Sequence, residues 1–114
     1  MLRVPCVRRC LLDFEDGSSR EDFMVNLSVL GAYVALDDPP PIGSRVTCRF
    51  RLGAGHPELA LAGVVTRVNT RQQHPVHSLP AGFGVRFLDP TQAALDRIAR
   101  YVSEHVRRHP NALS

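Results

Sequence analysis

Apolar and polar positions alternate most clearly from Arg45 to Leu52. Val46, Cys48, Phe50 and Leu52 fall on one face, and Arg45, Thr47, Arg49 and Arg51 on the other. A period of two marks a strand with one face in a core and one in water. Val7 to Phe14 is mostly apolar and ends at the turn residues Glu15-Asp16-Gly17-Ser18-Ser19, which makes it a second strand. Phe23 to Ser28 and Ala32 to Leu36 are two more, joined across the Gly31 region. The proline-rich stretch from Asp37 to Gly43 can be neither strand nor helix interior and must be a loop. Beyond the break at Gly53 to Pro57, Leu59 to Val68 is a long apolar strand, and Gly63 inside it predicts a bulge or bend. Asn69 to Gly82 reads as a polar, proline-broken loop of the kind that often carries partner contacts, and Phe83 to Leu88 as the last strand.

The period then changes. Leu95, Ile98, Val102 and Val106 recur at helical spacing, with Ala94, Ala99 and Tyr101 beside them. Asp89-Pro90-Thr91-Gln92 predicts the start, with Asp89 as N-cap, Pro90 first in the helix and Gln92 closing a capping box. Asp96 and Arg100, and Glu104 and Arg108, stand four apart in the favourable order for ion pairs. Arg107 and Arg108 suit the negative end of the helix dipole, and Pro110 stops it.

Short strands with hairpin-length connections and no helix between them imply an antiparallel sheet. Open edges would invite aggregation, and closure removes them. The expected fold is mostly β: a six-stranded antiparallel barrel over about residues 6–88, with a C-terminal helix over about 90–108 lying across one mouth or side. At 114 residues the chain 1–114 is expected to form a single domain.

Composition removes several classes of function. No apolar run approaches the ~20 residues of a membrane span, and Met1 to Pro5 has no signal-peptide character, so a cytoplasmic protein without a membrane span is expected. Cys6, Cys10 and Cys48 show no metal spacing and read as buried free thiols. The net charge is +3, and all fourteen basic residues are arginine. Guanidinium forks grip phosphates and guanine edges bidentately, which lysine does not. With two tyrosines, five phenylalanines, no tryptophan and eleven carboxylates, a specific long nucleic acid is a poor partner.

An enzyme is hard to build from these residues. His74 and His77, and His105 and His109, form pairs that no carboxylate or thiol completes, so no metal site is expected and the helical pair reads as solvated surface. Asp37-Asp38 and Glu15-Asp16 flank turns and read as turn formers. Tyr33, Phe50, Phe83 and Phe87 read as core. Arg45, Arg49 and Arg51 form an outward stripe that is a solvated face or the guard of an edge strand, and Arg86 points either to a ligand or to solvent.

The candidate binding chemistry lies in Asn26-Leu27-Ser28-Val29-Leu30-Gly31. On a strand, Asn26 and Ser28 would share one face, and Gly31 marks a turn or a close backbone approach. Such a pair can read the edge of a flat polar ligand or tie down a turn.

With these residues the chain resembles the PilZ domain family, six-stranded barrels with a C-terminal helix. Asn26, Ser28 and Gly31 match the family's Asp/Asn-x-Ser-x-x-Gly motif, and Gly82 to Asp89 looks like its last strand and the start of its helix. The family's other motif, Arg-x-x-x-Arg before the first strand, is matched in part. Arg3 looks like its second arginine, the first would fall before Met1, and position 7 is valine. Either the reading frame begins upstream or the ligand site is reduced. The resemblance implies a cyclic di-GMP receptor that relays its signal to a protein partner, with no cofactor and no catalysis. It implies ligand contacts from Arg3, with Arg8 as a stand-in for the missing arginine, and from Asn26, Ser28 and Gly31. The alternative is a PilZ-like interaction module that has lost the dinucleotide. Motility and exopolysaccharide regulation are family roles.

Overall fold

The computed structural model describes residues 2–70 and 79–110; His74, His77 and most of the long loop expected after Asn69 lie outside the described residues. Six strands, β1 (Val4–Phe14), β2 (Ser19–Leu27), β3 (Gly31–Ala35), β4 (Arg45–Phe50), β5 (Leu59–Asn69) and β6 (Gly82–Phe87), precede one helix, α1 (Gln92–Arg108). All pairings are antiparallel, and the order β1-β2-β3-β6-β5-β4 closes through β4 on β1. The expected barrel and C-terminal helix are both present. β4 is bonded on both sides, so its arginine stripe guards no edge. Instead Arg49 donates from Nε to Asp13 Oδ2 at 2.8 Å and stands 3.8 Å from Glu58.

β1 and β2 start several residues earlier than their apolar pattern, β1 at Val4 rather than Val7. β2 begins at Ser19 rather than Phe23, because Ser19 to Asp22 pair with Asp13 to Cys10 although their side chains are mostly exposed. β3 reaches only as far as Phe23, so this part of β2 pairs with β1 alone, and backbone pairing extends beyond the hydrophobic signal. The turn itself is held by Asp16, whose carboxylate accepts from the Ser18 amide at 2.9 Å, and by Gly17 at a φ of 87°.

The interior takes alternate residues of every strand. Cys10 and Leu12 of β1, Met24 of β2, Val34 of β3, Val46 and Cys48 of β4, Leu61 and Val65 of β5, and Phe83 and Val85 of β6 are all buried. The three cysteines are free and buried, as expected. The Cys48 thiol is pushed up strongly by its hydrogen bond to Cys10 and by burial, so it is no nucleophile.

α1 adds Ala94, Ile98 and Val102 to this core, one residue every four, and packs against β1. Its N-cap is Thr91, not Asp89: the Thr91 hydroxyl accepts from the Ala94 amide at 3.2 Å. Asp89 sits at a φ of 46° and supplies the turn out of β6, a conformation that aspartate tolerates better than most residues. Neither the Asp96–Arg100 nor the Glu104–Arg108 pair is present among the ion pairs of the described residues; Asp96 accepts from Gln92 Nε2 at 2.8 Å instead. No helix among the described residues is long and apolar enough to cross a membrane.

Closure makes some glycines obligatory. A Cβ on Gly82 would collide with the Val34 carbonyl oxygen across the β3–β6 pairing. Gly82→Ala should therefore cost ~1–3 kcal/mol, read as a lower urea midpoint at unchanged slope. The Asp13 carboxylate is held below its ordinary value of 3.8 by the Ser19 hydroxyl first and the Arg49 guanidinium second. A folded-state pKa below the unfolded one stabilises the fold above the unfolded value, and the contribution fades as pH falls through the folded one. The stability difference between wild type and Asp13→Asn should be constant from pH 7 to 5 and shrink below about pH 4. Urea midpoints across that range check it.

Candidate functional site

Two β-bulges decide which side chains reach the outside of the barrel at one place. Between Met24 and Asn26, β2 uses two residues where β3 uses one, from Val34 to Tyr33. Between Val65 and Arg67, β5 uses two where β6 uses one, from Val85 to Gly84. An extra residue reverses the inward–outward parity of everything after it. Without it, Asn26 would follow Met24 into the core, and Arg67 would follow Val65. The bulge in β5 lies at Thr66 and not at Gly63, where the pairing with β4 runs without interruption. Gly63 is instead a close approach, since a Cβ there would meet the Val85 side chain.

Asn26, Tyr33, Gly84 and Arg67 consequently form one row across β2, β3, β6 and β5. With Arg3 from just before β1 and Arg86 from β6, this row lines a groove of about 390 Å³. Tyr33 is only 1% exposed, yet it lies on this outer row and not in the barrel core, which corrects its reading as core. Its hydroxyl donates to the Pro80 carbonyl at 2.6 Å, so the end of the β5–β6 connection covers it. Burial raises its pKa, while hydrogen bonding to Asn69 and the charge of Arg67 act the other way. Gly84 leaves the floor open: a Cβ there would make ordinary contacts, the nearest 3.4 Å from Arg67 Cβ.

The groove is cationic. Arg3, Arg67 and Arg86 line it, and no carboxylate does so among the described residues. Arg3 Nη1 donates to Asn26 Oδ1 at 2.8 Å. Partial burial first and Arg67 second lower the Arg3 pKa, from a value high enough that it stays charged.

The sequence-predicted residues divide. Arg3, Asn26 and Gly31 all line the groove. Gly31 is fixed by the barrel itself, because a Cβ there would collide with the Val85 carbonyl oxygen. Ser28 does not line the groove. It is 0% exposed, and its Oγ accepts from the amides of Leu30 at 3.1 Å and Gly31 at 3.2 Å, holding the β2–β3 turn. The expectation that Asn26 and Ser28 share a face fails because β2 ends at Leu27 and Ser28 already belongs to the turn, which draws its side chain inward. Arg8 also lies elsewhere. Parity groups it with Cys6 and Cys10, and its charge stands close enough to Cys6 and Tyr101 to act on both pKa values. Arg67 was missed altogether. Its signal is the phase break in Leu59-x-Leu61-x-Gly63-x-Val65-x-x-Val68, where the apolar repeat slips by one.

Other clusters offer no chemistry. The His105 and His109 rings meet at a tilt of 38° with centroids 4.7 Å apart, and His105 is half-buried rather than solvated. No group of three metal-ligating side chains occurs among the described residues.

Ser28→Ala should leave the buried Gly31 amide and the partly buried Leu30 amide without their acceptor and cost about 1–3 kcal/mol. A lowered melting temperature checks it; an unchanged one would mean the turn holds by itself.

A family model, the PilZ domain, matches residues 2–104. No curated protein matches the chain. Among solved structures, the chain is similar to the inhibitor of motility MotI/DgrA of Bacillus subtilis, at 17% identity and a TM-score of 0.74 over 96% of this chain and 50% of that one. It is also similar to YcgR of Escherichia coli in complex with c-di-GMP, at 15% identity and a TM-score of 0.72, covering 97% and 47%. The PilZ domain of YcgR with c-di-GMP aligns at 13% identity and a TM-score of 0.68, covering 96% and 93%. The chain thus spans about half the length of the first two proteins and nearly all of the excised domain. A family match across nearly the whole length, on a barrel closed in this order, places the chain in the PilZ domain family.

Proposed function

We propose that this chain is a cyclic di-GMP receptor domain that binds the dinucleotide in the arginine-lined groove and relays its presence to a cytoplasmic protein partner. The observation that carries the reading is the convergence of Arg3 and Asn26, separated by 23 positions, in a groove with no lining carboxylate among the described residues. Family membership supports it, as do the YcgR and Borreliella burgdorferi PlzA structures, both in complex with c-di-GMP.

The chemistry fits. Guanine presents O6 and N7 as paired acceptors, and phosphates accept from guanidinium forks. Arg3 takes one of these anionic or acceptor edges, and Asn26, with both donor and acceptor atoms, reads a guanine edge. Gly84 lets the ligand approach backbone, beside Gly31 on the groove wall. Ser28 serves indirectly, by holding the turn that sets Gly31. Arg3 and Asn26 already satisfy one another, so ligand binding exchanges their bond for bonds to the dinucleotide. Movement of Arg3 carries the segment before β1 with it, and that displacement is what a partner would sense. The role is binding, with no catalytic step.

A second reading, an interaction module that has lost the dinucleotide, is favoured by the exposed outer face of β1 and β2. Val7 is 71% and Phe23 51% exposed there.

Titration calorimetry with cyclic di-GMP separates the two. Saturable micromolar binding is expected, weakened roughly ten- to hundredfold by Arg3→Ala or Asn26→Ala. Gly84→Val should block the groove floor with little change in melting temperature. No heat at high micromolar ligand would refute the receptor reading and leave the interaction module.

A further inference from the structure

We propose that Arg67 and Arg86, fixed on adjacent strands of the barrel wall, form the principal anion grip of this groove, and that Arg3 closes over a ligand they already hold. The inference rests on the receptor reading above but assigns its binding energy to residues outside both family motifs.

The placement is the first argument. Arg67 pairs with Gly84, and Arg86 lies two residues further along β6, opposite Val64. The two arginines are diagonal neighbours on one face, and glycine occupies the position beside them. Diagonal neighbours on adjacent strands stand ~7–8 Å apart, within the reach of two long side chains converging on one anion. The bulge at Thr66 is what turns Arg67 outward, and bulges characteristically re-aim side chains beside binding sites.

Electrostatics is the second argument. Outside the groove, Arg9 pairs with Glu21, Arg20 with Asp22 and Arg49 with Asp13 and Glu58. Arg67 and Arg86 take part in none of the ion pairs of the described residues, and Arg67 stands close enough to Arg3 to lower its pKa. Gathering like charges without carboxylates weakens a fold, so such a cluster is best compensated by a bound anion.

Preorganisation is the third. Strand residues hold their geometry before the ligand arrives, whereas Arg3 lies ahead of the first strand and must first give up its bond to Asn26. The ligand class is a compact anion with two phosphoryl groups, which two guanidinium forks engage better than two ammonium groups do.

The test uses the full chain and two probes, cyclic di-GMP by calorimetry and inorganic pyrophosphate by thermal shift. The variants are Arg67→Ala and Arg86→Ala, with Arg97→Ala on the exposed face of α1 as control. Melting temperatures without probe confirm folding. The expected result is a loss of tenfold or more in cyclic di-GMP affinity for each groove variant and none for the control. A loss below tenfold in either groove variant overturns the grip and leaves the receptor reading intact. If cyclic di-GMP is silent but pyrophosphate stabilises the wild type and neither groove variant, the receptor reading fails and the grip stands. If neither probe acts on the wild type, both fail.

Discussion

A closed barrel permits each side chain only two destinations, the core or the outside, and strict alternation assigns them before any chemistry is considered. The groove exists because β2 and β5 each break that alternation once. Met24 and Leu27 can then both be buried although they are three residues apart, and Asn26 is released to the surface between them. Val65 is buried and Val68 packs against the core, with Thr66 and Arg67 both on the groove side. The two slips act together. Because β3 and β6 lie between β2 and β5, parity reversals on the outer two strands align Asn26 and Arg67 at opposite ends of one row. Packing of the core and placement of the polar residues are therefore one constraint.

This explains which parts were legible in the sequence. The six strands, their antiparallel closure and the helix follow from hydrophobic period and turn residues, and each is present. The β4 pattern is uninterrupted, and its reading held residue by residue, with Val46, Cys48, Phe50 and Leu52 all buried. Where alternation breaks or a strand ends, the pattern misleads. Asn26 and Ser28 are expected side by side although β2 stops between them, and Gly63 draws attention from the slip at Thr66 three residues later. Ser28 illustrates a different limit. Its spacing to Gly31 fits both a ligand contact and a turn, and only the hydrogen bonds to Leu30 and Gly31 decide for the turn. Tyr33 was read as core because an aromatic residue in a short apolar strand nearly always is; its cover comes from Pro80, distant in sequence. Nothing local signals such a contact.

The arginines show why counting charges says little. A net charge of +3 suggests a mildly basic surface, but the fold sets two small groups of these cations apart from the rest. One is neutralised by carboxylates on neighbouring strands, as in Arg49 with Asp13. The other shares a groove with no lining acid among the described residues. Exposed pairs of the first kind contribute little to stability. What sets the groove apart is that three of its cations share one concave surface.

β1 links this groove to the rest of the molecule. Arg3 precedes the strand and meets Asn26, while Arg8, five residues on, stands close to Cys6 and Tyr101. Burial raises the Tyr101 pKa, and Cys6 reinforces the shift. Cys6 is in the core with Tyr101 packed against it, so β1 is held along its length by the barrel and by the helix, and at its groove end by an arginine whose partner can change. A strand fixed along its length and exchangeable at one end is suited to report an anion without unfolding the barrel that reads it.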